Sequence, residues 1–211
     1  MTESGTKSDG ELYESFLRGE TNSYDQLMIR YGNRLVCYLY GYLRDWEESE
    51  DMMVEAFARI MVKRPRMRDG AFRAYLYRTA RNLALRFLER KRSVTIFSTD
   101  GMDREIAEYV IAAGSGRMMG GSDDSVSAPD SRPVEEELRA REQRQLLHEC
   151  LGRIEPELRE ALWLFYFEDM SYAQAASVMG VKEKRIDHLL SRGKQQMRRE
   201  LEKEGVTSAH E

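Results

Sequence analysis

A change of composition near the middle of the chain constrains its fold more than any other feature. Residues 98–134 are rich in Gly, Ser, Asp and Pro, a composition that cannot bury enough apolar surface to order itself. On both sides of this segment, apolar residues recur at three- and four-residue steps, as in amphipathic helices, and strand patterns are nearly absent. The sequence therefore predicts an all-α protein with two small helical domains, 10–95 and 135–205, joined by a flexible acidic linker over 96–134.

The N-terminal half divides into three periodic runs. The first covers 11–43, with a break expected at Gly19–Ser23. The second follows a series of acids at 45–51, which suit a helix N-terminus because they oppose its positive dipole end, and it should end at Pro65. The third run covers 70–92. The β-rich stretch 93–97 is short and isolated, so it does not change the helical prediction.

Charge is distributed in blocks that the formal net charge of −4 conceals. Residues 44–60 hold six acids and two arginines, whereas residues 61–92 hold eleven Lys and Arg and two acids. The linker region 99–137 holds ten acids and three arginines, and residues 182–203 hold eight Lys and Arg and four acids. Two basic blocks separated by an acidic spacer are typical of two modules that both contact a polyanion, although charge runs are also common on solvated faces.

Composition argues against several classes of protein. No apolar run approaches the roughly 20 residues of a membrane span, and the polar N-terminus lacks the features of a signal peptide. We therefore expect a cytoplasmic protein. Cys37 and Cys150 are far apart in a chain with three histidines, so buried thiols are expected rather than a disulfide or a metal site. We also find no catalytic constellation and no cofactor motif, and an enzyme is not predicted.

The sharpest local signal lies in SYAQAASVMGVKEKRIDHLLSRGKQQMRREL, residues 171–201. Ser171 and Gln174 have the spacing of a capping box, which predicts a helix start. Ala176 allows close approach of two helices, Gly180 permits the positive φ of a tight turn, and Ile186 supplies an apolar packing position. This is the spacing of a helix-turn-helix.

The second helix of that motif would carry basic residues outward. They are Lys182, Lys184, Arg185, His188 and Arg192. Such a face fits a DNA major groove and its flanking phosphates, but it would equally fit an ordinary helical hairpin with a solvated basic face. The preceding run 149–171 is dense in apolar residues and is interpreted as the core that supports the motif, with Trp163 and Tyr166 partly exposed.

Arginines and aromatic residues alternate over 70–92. This combination holds single-stranded nucleic acid, since cations follow the backbone and aromatic faces take the bases. Phe72 and Phe87 are expected to be core residues, whereas Tyr75 and Tyr77 remain candidates for contact with a base.

Three stretches carry a resemblance to a known family. They are RDWEESEDMMVEAFARI (44–60), GAFRAYLYRTARNLALRFLERKR (70–92) and IEPELREALWLFYFEDMSYAQAASVMGV (154–181) with the basic helix that follows. In this order they resemble the extracytoplasmic-function (ECF) sigma factors of bacterial RNA polymerase, over about 24–92 and 138–201. Both halves match independently, which makes the resemblance specific.

The resemblance implies three sets of site residues. The segment similar to the one that docks on core RNA polymerase contains Asp45, Glu50, Asp51, Met52, Met53, Glu55 and Phe57. The segment similar to the one that captures a flipped base, melts the −10 element and holds its strand contains Arg64, Arg66, Arg68, Phe72, Tyr75, Arg78, Arg81 and Asn82. The segment similar to the reader of the −35 element contains Ser171, Lys182, Lys184, Arg185, His188 and Arg192. Core RNA polymerase, promoter DNA and an anti-sigma factor are the implied partners.

Several positions depart from the family pattern. Val54 and Arg86 stand where a glutamine and an acidic or polar residue are usual, and Lys182 stands where a serine usually caps the helix. Asp187 and Leu189 replace basic residues of the reading helix, which puts the promoter sequence in doubt. Two other functions remain open. A conventional helix-turn-helix regulator would bind duplex DNA without polymerase, and a pure interaction protein would bind no DNA.

Overall fold

The computed structural model describes residues 7–91, 146 and 149–206 of the 211-residue chain. Helices carry all the regular secondary structure of these residues, as predicted. The N-terminal half contains α1 (Asp9–Leu17), α2 (Thr21–Leu43), α3 (Trp46–Lys63) and α4 (Phe72–Lys91). The C-terminal half contains helical residues 149–152, α5 (Pro156–Leu162), a π-helical segment (Trp163–Phe167), α6 (Tyr172–Met179) and α7 (Glu183–Lys203).

Local capping sets most of the helix boundaries. Ser8 and Glu11 form a capping box at the start of α1, and the Asp45 carboxylate accepts a hydrogen bond from the backbone N–H of Glu48 at the start of α3. The break after α1 begins at Arg18, close to its predicted place. Helix α3 ends at Lys63, two residues before Pro65, so the predicted stop is confirmed.

The four N-terminal helices pack around a core rich in aromatic residues. Phe16, Phe57, Phe72 and Tyr77 are fully buried side chains of this core. The Tyr24 hydroxyl donates a 2.6 Å hydrogen bond to the Phe57 carbonyl and so ties α2 to α3. Burying a phenol with its hydroxyl satisfied retains the hydrophobic gain without an orphaned polar group.

The C-terminal half is a helix-turn-helix held on a short support. Pro156 begins α5 at its first position, where its missing N–H costs nothing. Gly180 ends α6 at φ +71°, the left-handed conformation that glycine adopts most readily. Helix α7 approaches α5 closely at Gly193, where an added Cβ would lie 3.1 Å from the Leu162 side chain. The predicted capping box and turn are both confirmed.

The two halves pack against each other, which the sequence did not lead us to predict. Helix α4 lies against α6, and buried residues of both halves belong to one hydrophobic cluster. The predicted linker and the β-rich stretch 93–97 lie outside the described residues. Helices α4 and α6, which the sequence places in two separate predicted domains, are therefore in contact in this structure.

Candidate polymerase and nucleic-acid interfaces

The acidic face predicted to bind polymerase lies on α3. Asp45, Glu50 and Asp51 are exposed there, in or next to the first turns of the helix. The Trp46 indole N–H donates a 2.8 Å hydrogen bond to the Glu50 carboxylate, and Arg59 pairs with Glu55 one turn away. The face is thus ordered by its own side-chain contacts.

Exposed apolar side chains accompany these acids. Trp46 is 38% exposed, Val54 52%, Met61 46% and Val62 79%. None of these four residues was predicted to lie in a site, although apolar residues at positions outside the core stripe of α3 were a usable signal. Large apolar residues left exposed on one helix, with acids beside them, are suited to a protein partner.

One residue of the predicted polymerase segment is buried. Phe57 is 1% exposed and packs edge-on against Tyr24. Met52 and Met53 are half-buried against the same core. Phe57 belongs to the inward stripe of α3, so any contribution to polymerase binding would be to hold the helix in place.

The arginine-rich loop 64–71 follows α3 and borders a cavity of about 300 Å³. Arg64, Arg66 and Arg68 are exposed, and the Tyr13 hydroxyl fixes the loop through a 2.9 Å hydrogen bond to the Pro65 carbonyl. The cavity is lined by Gly10, Tyr13, Glu14, Leu17, Arg66, Met67, Arg68, Asp69 and Phe72. Phe72 is buried in the core, as expected, and also forms part of the cavity wall. Aromatic, apolar and cationic walls in one cavity suit a planar base attached to a phosphate chain.

Helix α4 presents its predicted DNA residues on two different stripes. Arg78 and Asn82 are exposed, with Tyr75 half-buried beside them. Arg81 lies on a second stripe with Tyr77, and that stripe faces the C-terminal half. Tyr77 is fully buried, so its availability to a base, left open by the sequence, does not hold in this conformation.

Two ion pairs join the halves beneath the surface. The Arg81 Nε donates 2.8 Å to Glu160 Oε1, which also accepts a 2.7 Å hydrogen bond from the Tyr38 hydroxyl. Arg34 lies 3.2 Å from the Glu168 carboxylate and donates to the Phe167 carbonyl. The Glu160 and Glu168 side chains are only 5% and 1% exposed. Both carboxylates come from the C-terminal half and both guanidinium groups from the N-terminal half.

Burial and charge perturb several groups at this contact. Burial raises the pKa of Glu168, although Arg34 beside it acts in the opposite direction. Burial, with a smaller contribution from Arg44, lowers the pKa of Arg159 to about 10. The attraction within the two ion pairs is therefore offset by the cost of removing charged groups from water, and this limits how much the contact stabilises the fold.

The predicted −35 helix is open to solvent. Lys184, Arg185, His188 and Arg192 are exposed on α7, and Lys182 sits at its N-cap without a side-chain capping bond, as the sequence indicated. Ser171 caps α6: its hydroxyl accepts from the Gln174 N–H while the Gln174 side chain accepts from the Ser171 N–H. The predicted basic face therefore exists as one surface.

Two of these basic residues are already paired with acids. Arg185 makes a bidentate contact with Glu157: its Nε donates a 3.0 Å hydrogen bond to Oε1, and its Nη2 donates a 2.7 Å hydrogen bond to Oε2. Arg192 lies 3.4 Å from Glu155. Glu155 is the N-cap residue of α5 and Glu157 lies in its first turn, and their contact with α7 was not predicted from the sequence. A carboxylate thus lies next to both Arg185 and Arg192.

Within the described residues, no cluster of His, Cys, Asp or Glu has the composition of a metal site. No helix in the same part of the chain is long and apolar enough to cross a membrane.

Comparison with protein families identifies both halves. The family model "Sigma-70 region 2" matches residues 27–94, and "Sigma-70, region 4" matches residues 144–197. Together the two matches cover more than half of the chain, in the order that the sequence analysis proposed. The chain belongs to the sigma-70 family, as a sigma factor of the ECF group. It binds core RNA polymerase and directs promoter-specific initiation of transcription.

Individual relatives agree with this assignment. The chain is 27% identical over 175 residues to RNA polymerase sigma-H factor of Pseudomonas aeruginosa, covering 82% of this chain and 83% of that protein. It is 25% identical to ECF RNA polymerase sigma-E factor of Escherichia coli, with 82% and 83% covered. It is 21% identical to ECF RNA polymerase sigma factor SigM of Bacillus subtilis, with 82% and 92% covered.

A solved structure shares the fold. The structure of CnrH in complex with the cytosolic domain of CnrY has a TM-score of 0.55 and 18% sequence identity, and the match covers 93% of this chain and 98% of that chain. The helical architecture of both halves is thereby confirmed.

Proposed function

We propose a division of labour within this sigma factor. The N-terminal domain, 10–95, binds core polymerase through α3 and opens the −10 element through loop 64–71 and α4. The C-terminal domain, 135–205, reads the −35 element through α7. The observation that carries the proposal is the adjacency of two unlike surfaces on consecutive elements. The acidic and apolar face of α3 leads directly into the arginine loop and its cavity.

The cavity gives the −10 role a physical basis. An extruded base could enter between Tyr13, Met67 and Phe72, while Arg66 and Arg68 contact the adjoining phosphates. Stacking of a base on an aromatic side chain contributes about 1–3 kcal/mol, enough to help keep a base out of the duplex. Arg78 and Asn82 on the exposed stripe of α4 would hold the rest of the separated strand.

The roles of α3 and α7 are separated by two sets of variants in transcription with purified core polymerase. Asp51→Arg reverses a charge on the polymerase face and should abolish co-migration with core on a native gel. Asp25→Arg makes the same change at an exposed position of α2 and should bind core normally. The double variant Lys184→Ala/His188→Ala should keep core binding and lose promoter choice. If the chain shifts duplex DNA alone and ignores polymerase, it is a conventional helix-turn-helix regulator instead.

We further propose a protein inhibitor as a regulatory partner and the cytoplasm as the site of action, where core polymerase is found. CnrH was solved with the cytosolic domain of a second protein, and an anti-sigma factor of this chain would have to cover the exposed apolar residues of α3, or the basic face of α7. No covalent chemistry is part of the proposed function.

A further inference from the structure

Helix α1 forms one wall of the cavity beside the arginine loop, residues 64–71. Four residues of α1 line this cavity, and their spacing of three and four places them on one face of the helix: Gly10, Tyr13, Glu14 and Leu17. The family model for region 2 matches residues 27–94, which begin after α1. The wall that α1 supplies therefore lies outside the residues matched to the family.

Two contacts fasten the beginning of the arginine loop to α1. The Tyr13 hydroxyl donates a 2.9 Å hydrogen bond to the Pro65 carbonyl. The Arg64 guanidinium carbon lies 4.9 Å from the centroid of the Phe16 ring, within the range of a cation–π contact. Tyr13 and Phe16 are both buried, so the loop begins on side chains that belong to the core.

The end of the arginine loop meets α1 at Gly10. A Cβ added at this position would overlap Oδ1 of Asp69 and would lie 3.1 Å from its Cγ. The same Oδ1 accepts a 2.9 Å hydrogen bond from the Gly70 N–H, so the carboxylate cannot turn away without losing that bond. Glycine, which has no side chain, therefore allows Asp69 to lie this close to α1.

Helix α1 is held more firmly than the loop that packs on it. The Asp9 carboxylate accepts hydrogen bonds from Arg30 and Tyr31 of α2, and the inward face of α1 is part of the hydrophobic core. Most residues of loop 64–71, in contrast, are exposed. A side chain introduced at Gly10 should therefore displace the loop and leave the helix in place.

We propose that Gly10 is a positioning residue for the capture of a −10 base. By admitting the Asp69 side chain against its backbone, it fixes the end of the arginine loop. The loop in turn sets how far Met67 lies from the aromatic wall of Tyr13 and Phe72, and so the width of the slot for an extruded base. A binding site of this kind must hold its geometry within about 0.5 Å. Gly10 itself touches no DNA, and the inference rests on the proposed role of the cavity in opening the −10 element.

The test begins with Gly10→Ala in the full chain. Alanine forms helix more readily than glycine, so helix propensity alone predicts no loss of folding. Gly152→Ala is the matched control, because it makes the same change in the helical turn 149–152, where an added Cβ meets nothing within 4 Å. Circular dichroism and native-gel binding to core polymerase should be unchanged in both variants. Loss of core binding by Gly10→Ala would mean that the substitution disturbs the whole N-terminal half, and would overturn a local role.

Base capture itself is measured with DNA that lacks one base at a time. The probe is a fluorescein-labelled promoter fragment, selected by transcription with core polymerase, that carries a single abasic site at successive positions of the −10 non-template strand. With wild-type holoenzyme, affinity should fall at least fivefold at the position whose base enters the cavity. With Gly10→Ala, the intact fragment should already bind at least fivefold more weakly, and the abasic site at that position should cost less than a further twofold. A general structural defect would instead weaken the binding of every fragment by the same factor.

Asp69→Ala removes the atoms that the new side chain would meet. In this background Gly10→Ala should change affinity for the intact fragment less than twofold, because residues that act through one contact are not additive. A fivefold loss in both backgrounds would show that Gly10 acts by another route and would overturn the inference. Equal sensitivity of wild type and Gly10→Ala to the abasic site would overturn it as well, and would leave the proposed function intact. If no abasic site affects wild type, the proposed role of the cavity fails, and this inference fails with it.

Discussion

At the scale of single residues, the paired arginines of the reading helix carry the clearest consequence. A guanidinium group reads guanine through two N–H groups, and in Arg185 the Nε and Nη2 groups already donate to Glu157. Both side chains are about half exposed, and surface pairs contribute only about 0–1 kcal/mol. The pair can therefore open for DNA, but the Glu157 carboxylate must first leave the N–H groups that a base would use.

Glu157→Gln should increase promoter affinity of the holoenzyme about threefold or more, because it removes a competitor of the base and a charge that repels phosphate. Thermal stability should change by less than about 1 kcal/mol, as expected for an exposed pair. Filter binding with promoter duplex measures the first quantity and thermal melting the second. Glu202→Gln is the matched control, because it removes the same charge at another exposed position, on α7. A loss of affinity specific to Glu157→Gln would show that Glu157 positions Arg185 instead of competing for it.

At the scale of elements, the short helix α6 depends on its N-terminal cap. A helix of eight residues is marginal on its own, and Ser171 and Gln174 satisfy two orphaned backbone N–H groups at its start. Helix α6 also packs on both α7 and α4, so its boundary affects the reading helix and the contact between the halves.

Ser171→Ala should destabilise the C-terminal half by about 1 kcal/mol, the usual cost of losing a serine cap. Urea unfolding followed by circular dichroism measures the effect. Ser177→Ala is the matched control, since Ser177 is exposed inside the same helix, where alanine is the better helix former. Equal midpoints for the two variants would contradict the importance of the cap.

These elements also show what sequence could predict. The capping box at Ser171, the turn at Gly180 and the end of α3 before Pro65 are local signals, and each was confirmed. The burial of Phe57 was missed because its helix has apolar residues on more than one side. The contact of Arg81 with Glu160 joins residues 79 positions apart. Nothing in local periodicity connects them, so only the folded chain reveals it.

At the scale of the whole molecule, the contact between the two halves and the binding of promoter DNA should respond differently to salt. In the first ion pair between the halves, the Arg81 side chain is 20% exposed and Glu160 5%; in the second, Arg34 is 28% exposed and Glu168 1%. Dissolved ions therefore reach both pairs poorly. Screening acts mainly on solvent-exposed charges. Promoter binding, in contrast, releases counterions from the phosphates that the arginines and lysines contact.

Cys37 is buried against Trp163 and Phe167 of the C-terminal half, so its rate of labelling by a thiol reagent reports the contact between the halves. Raising KCl from 0.1 to 0.5 M should leave that rate within about twofold of its low-salt value. Over the same range, promoter affinity of the holoenzyme should fall by roughly three to four orders of magnitude if about six phosphates are contacted. Labelling of Cys150, which is buried in the C-terminal half, checks that the fold persists at high salt. If Cys37 labelling instead rises in step with the loss of DNA affinity, the two pairs are screened like surface charges. The contact between the halves would then be held by long-range attraction between the basic and acidic blocks of the chain. Substitution of Arg34 or Glu160 alone would not separate the halves.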